Sequence, residues 1–542
     1  MIDDRPWRVA DQIARTLHAH GIRHAFGMPG GEVVTLIDGL GRSGIAFVLA
    51  RHETPAAIMA AGTYWATGAP GLLVTTLGPG LANAVNGIAD AWQERVPLIV
   101  LSGVVERTIR GRYTHQIVDH AALLRPLVKA SFEVEPEGAA DVVARAIRLA
   151  TTRPYGPVHL DLSPASAAQP SPSEALIRPA EGARPQVDPS DPILAMVCRK
   201  LSAASRPVVV AGLDAARPAA SEPLRLLLER LGAPLITTYR AKGVVDERHP
   251  LVLGGAGLSP LADRHLLPAL QAADLVLLAG YDPIEMRPGW MDPFPSSALV
   301  IELAAVPVDH GMHRVDIRLQ GEPADLLHAL VQGLDPEPHG RPSGPERIRA
   351  PLEEAFAAPH DRFGPHAVAA ALQDMLTPDT TLTVDSGAHR ILLSQKLQLR
   401  HPLQLLQSSG WCTMGAALPL AIGVKRARPD RQVVAVMGDG GLEMVAGELA
   451  TLRDLGLPVT LVVLQDQSLA LIALKQAQAR LPPAGVALPA SDLVGLAAAF
   501  GGHGVRAGTR DALARALGEA AARDVFTLIV CPIDAEDYVG RI

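Results

Sequence analysis

The sequence contains little cysteine and no cluster of positive charge, and these absences exclude several classes of protein. Its three cysteines, Cys198, Cys412 and Cys531, are too few and too far apart for a disulfide framework or a CxxC metal site. This usage is typical of a reducing cytoplasm. The net charge is only -7 over 542 residues, and no basic block favours nucleic acid as a partner.

Long hydrophobic runs are also missing. The most apolar runs, residues 433–437 and 459–464, are much shorter than the ~20 residues that cross a membrane. The first 17 residues are acidic and then amphipathic, whereas a secretory signal is basic and then apolar. We therefore expect neither a membrane span nor a secretory signal, and no membrane partner.

Short apolar strands alternate with helical patterns along the whole chain, which predicts parallel sheets covered by helices. Two stretches rich in proline divide this pattern. The fold class is therefore predicted to be α/β, with three doubly wound parallel-sheet domains. The predicted domains span 1–165, 191–333 and 361–542, with linkers at 166–190 and 334–360.

The sharpest local pattern is an apolar strand that runs into Gly438-Asp439-Gly440-Gly441. Glycines allow a phosphate to approach the backbone, and a carboxylate oxygen suits Mg²⁺. The next predicted strand ends in a second polar cluster at Gln465-Asp466, so Asp439 and Asp466 are expected at one edge of the sheet. Alone, the first pattern could also be an ordinary strand-end turn.

Longer segments carry a resemblance to a known family. They are FGMPGGEVVTLIDGL (26–40), ARHETPAAIMAAGTYWATGAPG (50–71), TTLGPGLANAVNGIADAWQERVPLIVLSG (75–103), GPVHLDL (156–162), GYDPIEMRPGW (280–290) and GWCTMGAALPLAIG (410–423). With the Asp439 pattern, they resemble thiamine diphosphate enzymes of the acetolactate synthase type (the large catalytic subunit). The resemblance implies a pyrimidine-binding domain, a central domain and a diphosphate-binding domain, in that order.

The resemblance also implies a metal site and its ligands. Asp439 matches the first Mg²⁺ ligand of the family, Asp466 stands where the family usually has Asn, and Ser468 matches the residue that supplies a backbone carbonyl. An aspartate still ligates Mg²⁺ through oxygen, but it adds a negative charge beside a diphosphate. We therefore expect metal affinity to differ from that of the relatives.

Glu53 matches the glutamate that activates thiamine diphosphate by a hydrogen bond to the aminopyrimidine ring. Without the resemblance, Glu53 reads equally well as a carboxylate at a helix start. The other expected cofactor contacts fall in both end domains. They are Gly30, Gly78, Pro79, Asn83, Gly387, Ala388, His389, Thr413, Met414, Gly438, Gly440, Gly441, Leu469 and Ala470, together with Asp439, Asp466 and Ser468.

Three residues are candidates for substrate binding and proton transfer. Gln116 matches a family active-site glutamine, and His115 is either a proton shuttle or an ordinary loop histidine. Lys475 either faces the pocket, which would favour an acidic or carbonyl substrate, or is an exposed helix lysine. Residues 251–265 resemble the flavin-contacting loop of the family only loosely, so no FAD is expected.

The leading hypothesis is a cytoplasmic thiamine diphosphate- and Mg²⁺-dependent decarboxylase or carboligase for 2-oxo acids, classed as a lyase or a transferase. The second is a carbon–carbon lyase or hydrolase for 2-hydroxy ketones or diketones that releases no carbon dioxide. The third is a catalytically silent regulatory paralogue. The family implies active sites shared between subunits, so a homodimer or homotetramer is expected.

Overall fold

The computed structural model describes residues 7–171, 187–188, 190–308, 310–335, 345–358 and 361–542. The chain forms three six-stranded sheets, and every strand pair in them is parallel. Helices flank each sheet, so the predicted fold class is confirmed. Within the described residues, no helix has both the length and the apolar character needed to cross a membrane.

The first domain has strands β1 (His24–Gly27), β2 (Ala46–Leu49), β3 (Gly71–Thr75), β4 (Leu98–Gly103), β5 (Ser131–Val134) and β6 (Val158–Leu162). Its helices are α1 (Val9–Ala19), α2 (Val34–Arg42), α3 (Glu53–Thr67), α4 (Pro79–Gln93), α5 (Arg107–Arg110), α6 (His120–Leu124), α7 (Ala139–Ala150) and α8 (Pro164–Ala168). The strand order is β2-β1-β3-β4-β6-β5. The central strands β3 and β4 are completely buried, as expected for strands covered on both faces.

The second domain has strands β7 (Pro207–Ala211), β8 (Leu235–Thr238), β9 (Val252–Ala256), β10 (Leu275–Ala279), β11 (Leu299–Ala304) and β12 (Ile317–Gln320). Its helices are α9 (Pro192–Ala203), α10 (Pro218–Leu231), α11 (Pro260–Gln271) and α12 (Pro323–Gly333). The order β12-β11-β10-β7-β8-β9 is that of a dinucleotide-binding fold and differs from the first domain. The sequence pattern did not distinguish these two orders.

The third domain follows helix α13 (Pro345–Ala355). Its strands are β13 (Thr380–Val384), β14 (Leu405–Gln407), β15 (Gln432–Gly438), β16 (Thr460–Gln465), β17 (His503–Arg506) and β18 (Thr527–Pro532). Its helices are α14 (Pro365–Met375), α15 (Ala388–Lys396), α16 (Ala417–Ala427), α17 (Asp439–Val445), α18 (Glu448–Leu455), α19 (Ala470–Gln478), α20 (Leu493–Ala499) and α21 (Arg510–Ala521). The order β14-β13-β15-β16-β18-β17 repeats that of the first domain.

One of the predicted linkers needs correction. Part of the predicted linker 334–360 is helix α13, and one side chain of that helix, Leu352, is buried in the core of the second domain. Residues 336–344 and 359–360 of that linker, and most of the linker 166–190, lie outside the described residues. The helical segment that follows β15 begins at Asp439 and divides into α17 and α18 around Ala446 and Gly447.

The end domains of one chain pack against each other through α3 and α16. A Cβ atom on Gly62 would lie 2.6 Å from the carbonyl oxygen of Leu420, and one on Gly423 would lie 2.1 Å from that of Met59. Only glycine permits this approach of two helix backbones. The contact fixes the position of α3, whose first residue is Glu53, relative to the third domain.

A buried acid at the end of α4 joins all three domains. Glu94 forms an ion pair with Arg240 of the second domain, and its other oxygen accepts a hydrogen bond from the Gly410 amide of the third, at 2.6 Å. The Arg240 guanidinium also lies 4.6 Å from the centre of the Trp65 ring. These contacts tie the ends of α3 and α4 to the second and third domains.

Candidate active site

Asp439 lies where β15 ends and α17 begins, at the carboxyl edge of the third sheet. One carboxylate oxygen accepts a hydrogen bond from the Gly440 amide at 2.9 Å, and the other from the Gln467 amide at 2.8 Å. Burial raises the pKa of this carboxyl above its usual value, and these amides oppose the rise. Asp439 therefore joins the ends of two neighbouring strands, as its position in the sequence predicts.

Asp466 follows β16, the neighbour of β15 in the sheet. Its carboxylate accepts a hydrogen bond from the Ser468 amide at 3.0 Å. Burial and the negative charge of Asp439 raise the pKa of Asp466 to about 7. Two mutually repelling carboxylates in a partly desolvated site favour a divalent cation, and carboxylate oxygens are the ligands Mg²⁺ prefers.

A cavity of about 220 Å³ opens in front of these two acids. The side chains of Met414, Leu471 and Ile472 form its apolar wall. A Cβ atom on Gly440 would lie 3.9 Å from the Met414 methyl, so this side chain lies over the glycine turn. The remaining lining residues are Ser386, Gly387, Ala388, His389, Arg390, Cys412, Gly438, Gly440, Gly441, Ser468, Leu469 and Ala470.

The cavity also offers donors for an anion. Helices α15 and α19 begin in its wall, at Ala388 and Ala470, and the amides at helix starts favour negative groups. The His389 ring lies against Gly438, and its Nε2 is buried without a hydrogen-bond partner. Burial and the neighbouring Arg390 lower the pKa of His389 to about 4. Such a nitrogen is available to a bound ligand.

A second cluster of expected residues lies at the carboxyl edge of the first sheet. Glu53 is buried at the start of α3, and one of its carboxylate oxygens accepts a hydrogen bond from the Asn83 side chain at 3.1 Å. A Cβ atom on Gly80 would lie 3.4 Å from the other oxygen. Glu53 is therefore both a carboxylate at the start of a helix and a buried side chain among the expected active-site residues, so its two interpretations are compatible.

The turn before α4 is adjacent to the Glu53 carboxyl. Gly78 has φ +53° and ψ -100°, which residues with a side chain rarely adopt, and it is followed by Pro79 at the first position of α4. A Cβ atom there would also collide with the Gln116 carbonyl oxygen, at 2.3 Å. Gly30 packs on Thr76 at the same sheet edge.

The three substrate candidates are all exposed in the single chain. His115 and Gln116 lie in the exposed segment 111–119, whose backbone contacts Gly78. Lys475 is exposed on α19, one turn beyond the lining residues Leu471 and Ile472, and does not line the cavity. Its position in this chain fits the exposed-lysine alternative.

Seventeen of the expected cofactor residues come together in two separate groups. Gly387, Ala388, His389, Met414 and the residues around Asp439 and Asp466 line the cavity, which we call the diphosphate half-site. Gly30, Glu53, Gly78, Pro79 and Asn83 belong to the first domain, and we call them the pyrimidine half-site. In the described part of the chain, no residue of the first domain lines the diphosphate half-site. Thr413 lies beside it and accepts a hydrogen bond from Asn86.

Several residues of the site were missed from the sequence. Arg390 and Cys412 line the cavity, and the Arg390 guanidinium lies 3.2 Å from the Cys412 sulfur. Asp385 is fully buried at the end of β13, where its carboxylate accepts hydrogen bonds from the amides of Gly415, at 3.0 Å, and Ala416, at 2.8 Å. A carboxylate directly after an apolar strand was the available signal for Asp385.

Comparison with known proteins agrees with this geometry. Residues 7–123, 194–330 and 385–531 match the family models for the N-terminal thiamine pyrophosphate-binding domain, the central domain and the C-terminal thiamine pyrophosphate-binding domain of thiamine pyrophosphate enzymes. The chain is 31% identical to the acetolactate synthase of Bacillus subtilis over 98% of its own length and 94% of that protein's. It is 30% identical to the catabolic acetolactate synthase of Raoultella terrigena, over 98% and 96%. It is 31% identical to a probable acetolactate synthase large subunit of Methanocaldococcus jannaschii, over 85% and 81%.

Proposed function

Because the chain belongs to the thiamine pyrophosphate enzyme family and is a carboligase or decarboxylase that depends on this cofactor, we propose that it acts on a 2-oxo acid with Mg²⁺ as the metal. Thiamine pyrophosphate is another name for thiamine diphosphate. The observation that carries the proposal is the pair Asp439 and Asp466 at the mouth of an apolar cavity. The three unpaired cysteines favour a cytoplasmic location.

The residues of the diphosphate half-site fit the cofactor. Asp439, Asp466 and the backbone carbonyl of Ser468 would hold Mg²⁺. The unpartnered Nε2 of His389 and the amides at the starts of α15 and α19 would bind the diphosphate. Met414 and Leu469 would support the organic part of the cofactor, because both contact the Gly440 turn. No flavin is included in the proposal.

When bound, thiamine diphosphate supplies a carbon nucleophile that adds to a carbonyl and accepts the electron pair of the broken bond. Glu53 would hold a proton at its carboxyl and exchange it with the aminopyrimidine nitrogen. Asn83 orients that carboxyl through its hydrogen bond. Gln116 would bind the substrate by hydrogen bonds, and His115 would move a proton to or from it. Leu471 and Ile472 would exclude water from the reacting carbon.

We propose that the working unit is at least a dimer. Glu53 and the diphosphate half-site belong to different domains, and the first domain does not line the cavity in the described part of one chain. A second copy would bring its pyrimidine half-site to the open cavity. Lys475 would then reach the substrate only from its exposed position at the rim.

A substrate screen tests the proposal. Purified protein with thiamine diphosphate and Mg²⁺ is incubated with 2-oxo acids and with 2-hydroxy ketones or diketones, and both carbon dioxide and ligation products are measured. We expect carbon dioxide from a 2-oxo acid, and Glu53→Gln should reduce this rate at least 100-fold. Cleavage of diketones without carbon dioxide would favour the lyase alternative, because the same Asp439 and Glu53 would serve it.

Binding is tested separately from turnover. Millimolar thiamine diphosphate with Mg²⁺ should raise the melting temperature, because a ligand that binds only the folded state stabilises it. Glu53→Gln should keep this stabilisation, since its side chain lies outside the diphosphate half-site. The absence of any shift in the unchanged protein would refute the cofactor site.

A further inference from the structure

A buried polar chain lies under the pyrimidine half-site. Thr75, Ser102 and Asp161 are register neighbours on β3, β4 and β6. The Thr75 hydroxyl donates to that of Ser102 at 3.2 Å, and Ser102 lies 3.2 Å from His159 Nε2. The same His159 nitrogen is 3.4 Å from Asp161 Oδ1. This oxygen is also 2.7 Å from Nδ1 of His120, which is buried at the start of α6.

The other nitrogen of His120 faces the active-site turn. The Gly78 amide donates a hydrogen bond to His120 Nε2 at 3.1 Å. Since Nε2 accepts this bond, the neutral ring must carry its proton on Nδ1, where it donates to Asp161. The tautomer is therefore fixed from both sides. Burial opposes ionisation of Asp161, but its hydrogen bonds with His120 and His159 lower the pKa of this carboxyl below the usual value.

The same geometry argues against a metal at this cluster. One nitrogen of each histidine and a carboxylate oxygen of Asp161 lie within 4.8 Å of one another, which is compatible with metal binding. A metal on Nδ1 of His120 would require both ring nitrogens to be deprotonated, because Nε2 already accepts from Gly78. A neutral imidazole provides only one such nitrogen.

His120 is also placed to fix the segment that carries the substrate candidates. It follows Asp119, whose carboxylate caps α6 by accepting from the Ala122 amide at 2.9 Å. The Gln116 carbonyl, four residues before His120, packs directly on Gly78. The Gly78 turn in turn leads into α4, which presents Asn83 to Glu53. One imidazole thus connects the 111–119 segment to the turn beside the Glu53 carboxyl.

We propose that His120, held in one tautomer by Asp161, is a positioning residue that fixes the Gly78 turn and the 111–119 segment relative to Glu53. It does not touch the reacting atoms, because both ring nitrogens are already hydrogen-bonded, Nδ1 to Asp161 and Nε2 to the Gly78 amide. The role of Glu53 rests on the proposed function, whereas the ordering of the turn does not.

Two substitutions of similar shape each keep one of the two hydrogen bonds of His120. His120→Gln keeps an acceptor near the position of Nε2 and should retain the bond to Gly78. His120→Asn keeps a donor near Nδ1 for Asp161 but is too short to reach Gly78. His313→Gln, which changes a buried histidine of the second domain, is the matched control for loss of an imidazole.

The first readout is amide hydrogen exchange of cofactor-free protein, in peptides that cover 71–83 and 111–124. We expect His120→Asn to exchange at least 10-fold faster in both peptides, and His120→Gln and His313→Gln to stay within threefold of the unchanged protein. Peptides of the third domain report whether a variant is globally unfolded. Equal exchange in the Asn and Gln variants would overturn the proposal.

The second readout is steady-state kinetics with a 2-oxo acid found in the screen. We expect His120→Asn to lower kcat about 10- to 100-fold with KM changed less than threefold, and His120→Gln to restore most of kcat. If the screen finds no substrate, the exchange experiment still decides whether His120 orders the turn.

The metal content of cofactor-free protein is a third readout. If the unchanged protein holds one equivalent of metal and His159→Gln loses it, the cluster is a metal site and the proposal is overturned.

Discussion

Asp466 is the residue by which the proposed metal site is expected to differ from those of its family. Its carboxylate and that of Asp439 are close enough for the charge of one to raise the pKa of the other. The repulsion is present in metal-free protein and is relieved by a divalent cation. We therefore expect the stability of this domain to depend on the metal.

Asp466→Asn should raise the melting temperature of metal-free protein at pH 8, because it removes one of the two repelling charges. The expected gain is on the order of 1–2 kcal/mol, or roughly 2–6 °C. Mg²⁺ should then add less stabilisation than in the unchanged protein. Melting curves with EDTA and with Mg²⁺ measure both effects. Asp374→Asn, at an exposed acid, is the control. A lower metal-free melting temperature for Asp466→Asn would contradict the repulsion.

Asp385 provides a pH dependence that does not involve the metal ligands. Burial raises its pKa to about 6, against the usual 3.8, although backbone amides oppose the rise. The folded state therefore holds this proton more tightly than the unfolded state. The protonated Asp385 carboxyl therefore stabilises the folded state. This stabilisation is complete below about pH 4 and is lost as the pH rises through 6, which changes the free energy of unfolding by about 3 kcal/mol.

Asp385→Asn should flatten this part of the pH profile. Urea unfolding of cofactor-free protein at pH 4.5 and pH 6.5 measures the free energy of unfolding within the range of the change and above it, and so records a large part of the change. The variant should also be less stable at each pH, because its side chain has one acceptor for the amides of Gly415 and Ala416. An unchanged difference between the two pH values would show that Asp385 does not titrate in this range.

At the scale of elements, the contact of α3 with α16 decides how the half-sites are held. The glycine faces that allow it are visible in the sequence only as scattered glycines within helical patterns. Because α3 begins with Glu53 and α16 follows the Met414 segment, a change in this contact should move both.

Gly62→Ala should separate the two helices. Its new methyl would lie 2.6 Å from the Leu420 carbonyl oxygen, so we expect a loss of about 1–3 kcal/mol in the free energy of unfolding and a lower kcat. Gly518→Ala in α21 is the matched control, because nothing lies within 4 Å of its new methyl. It should be neutral or stabilising by up to about 1 kcal/mol. Chemical denaturation and steady-state kinetics measure the two effects, and equal behaviour of the variants would contradict the packing argument.

At the scale of the whole molecule, the separation of the half-sites leads to a mixing experiment. Glu53→Gln and Asp439→Asn should each be inactive alone. If each active site uses Glu53 of one chain and Asp439 of another, mixed dimers contain one intact site, and refolding the two variants together should restore about a quarter of the activity under random pairing.

The control for mixing is a pair of variants in the same half-site, Asp439→Asn with Asp466→Ala. These should not complement each other, because every mixed active site still carries a defective metal ligand. A failure of Glu53→Gln and Asp439→Asn to complement, with dimers confirmed by light scattering, would place the complete site within one chain.

The sequence by itself determined the chemistry that is possible and the elements that carry it. Apolar strands followed by Gly438-Asp439-Gly440 and by Gln465-Asp466 predict neighbouring polar strand ends, because the carboxyl ends of parallel strands meet at one edge. Local patterns also predicted most strands of the buried sheet centres. Short strands were missed, because three to five residues carry too little periodicity. They are β5, β9, β12, β14 and β17 at sheet edges and β1 and β8 inside sheets.

Only the tertiary structure decided which distant residues meet. The orders of the three sheets, the close contact of α3 with α16, and the approach of His120 to Gly78 depend on packing between segments far apart in the chain. A local pattern holds no information on such contacts, because they are selected by the shape and polarity of both partners. The exposure of Lys475 and the separation of Glu53 from the diphosphate half-site have the same origin.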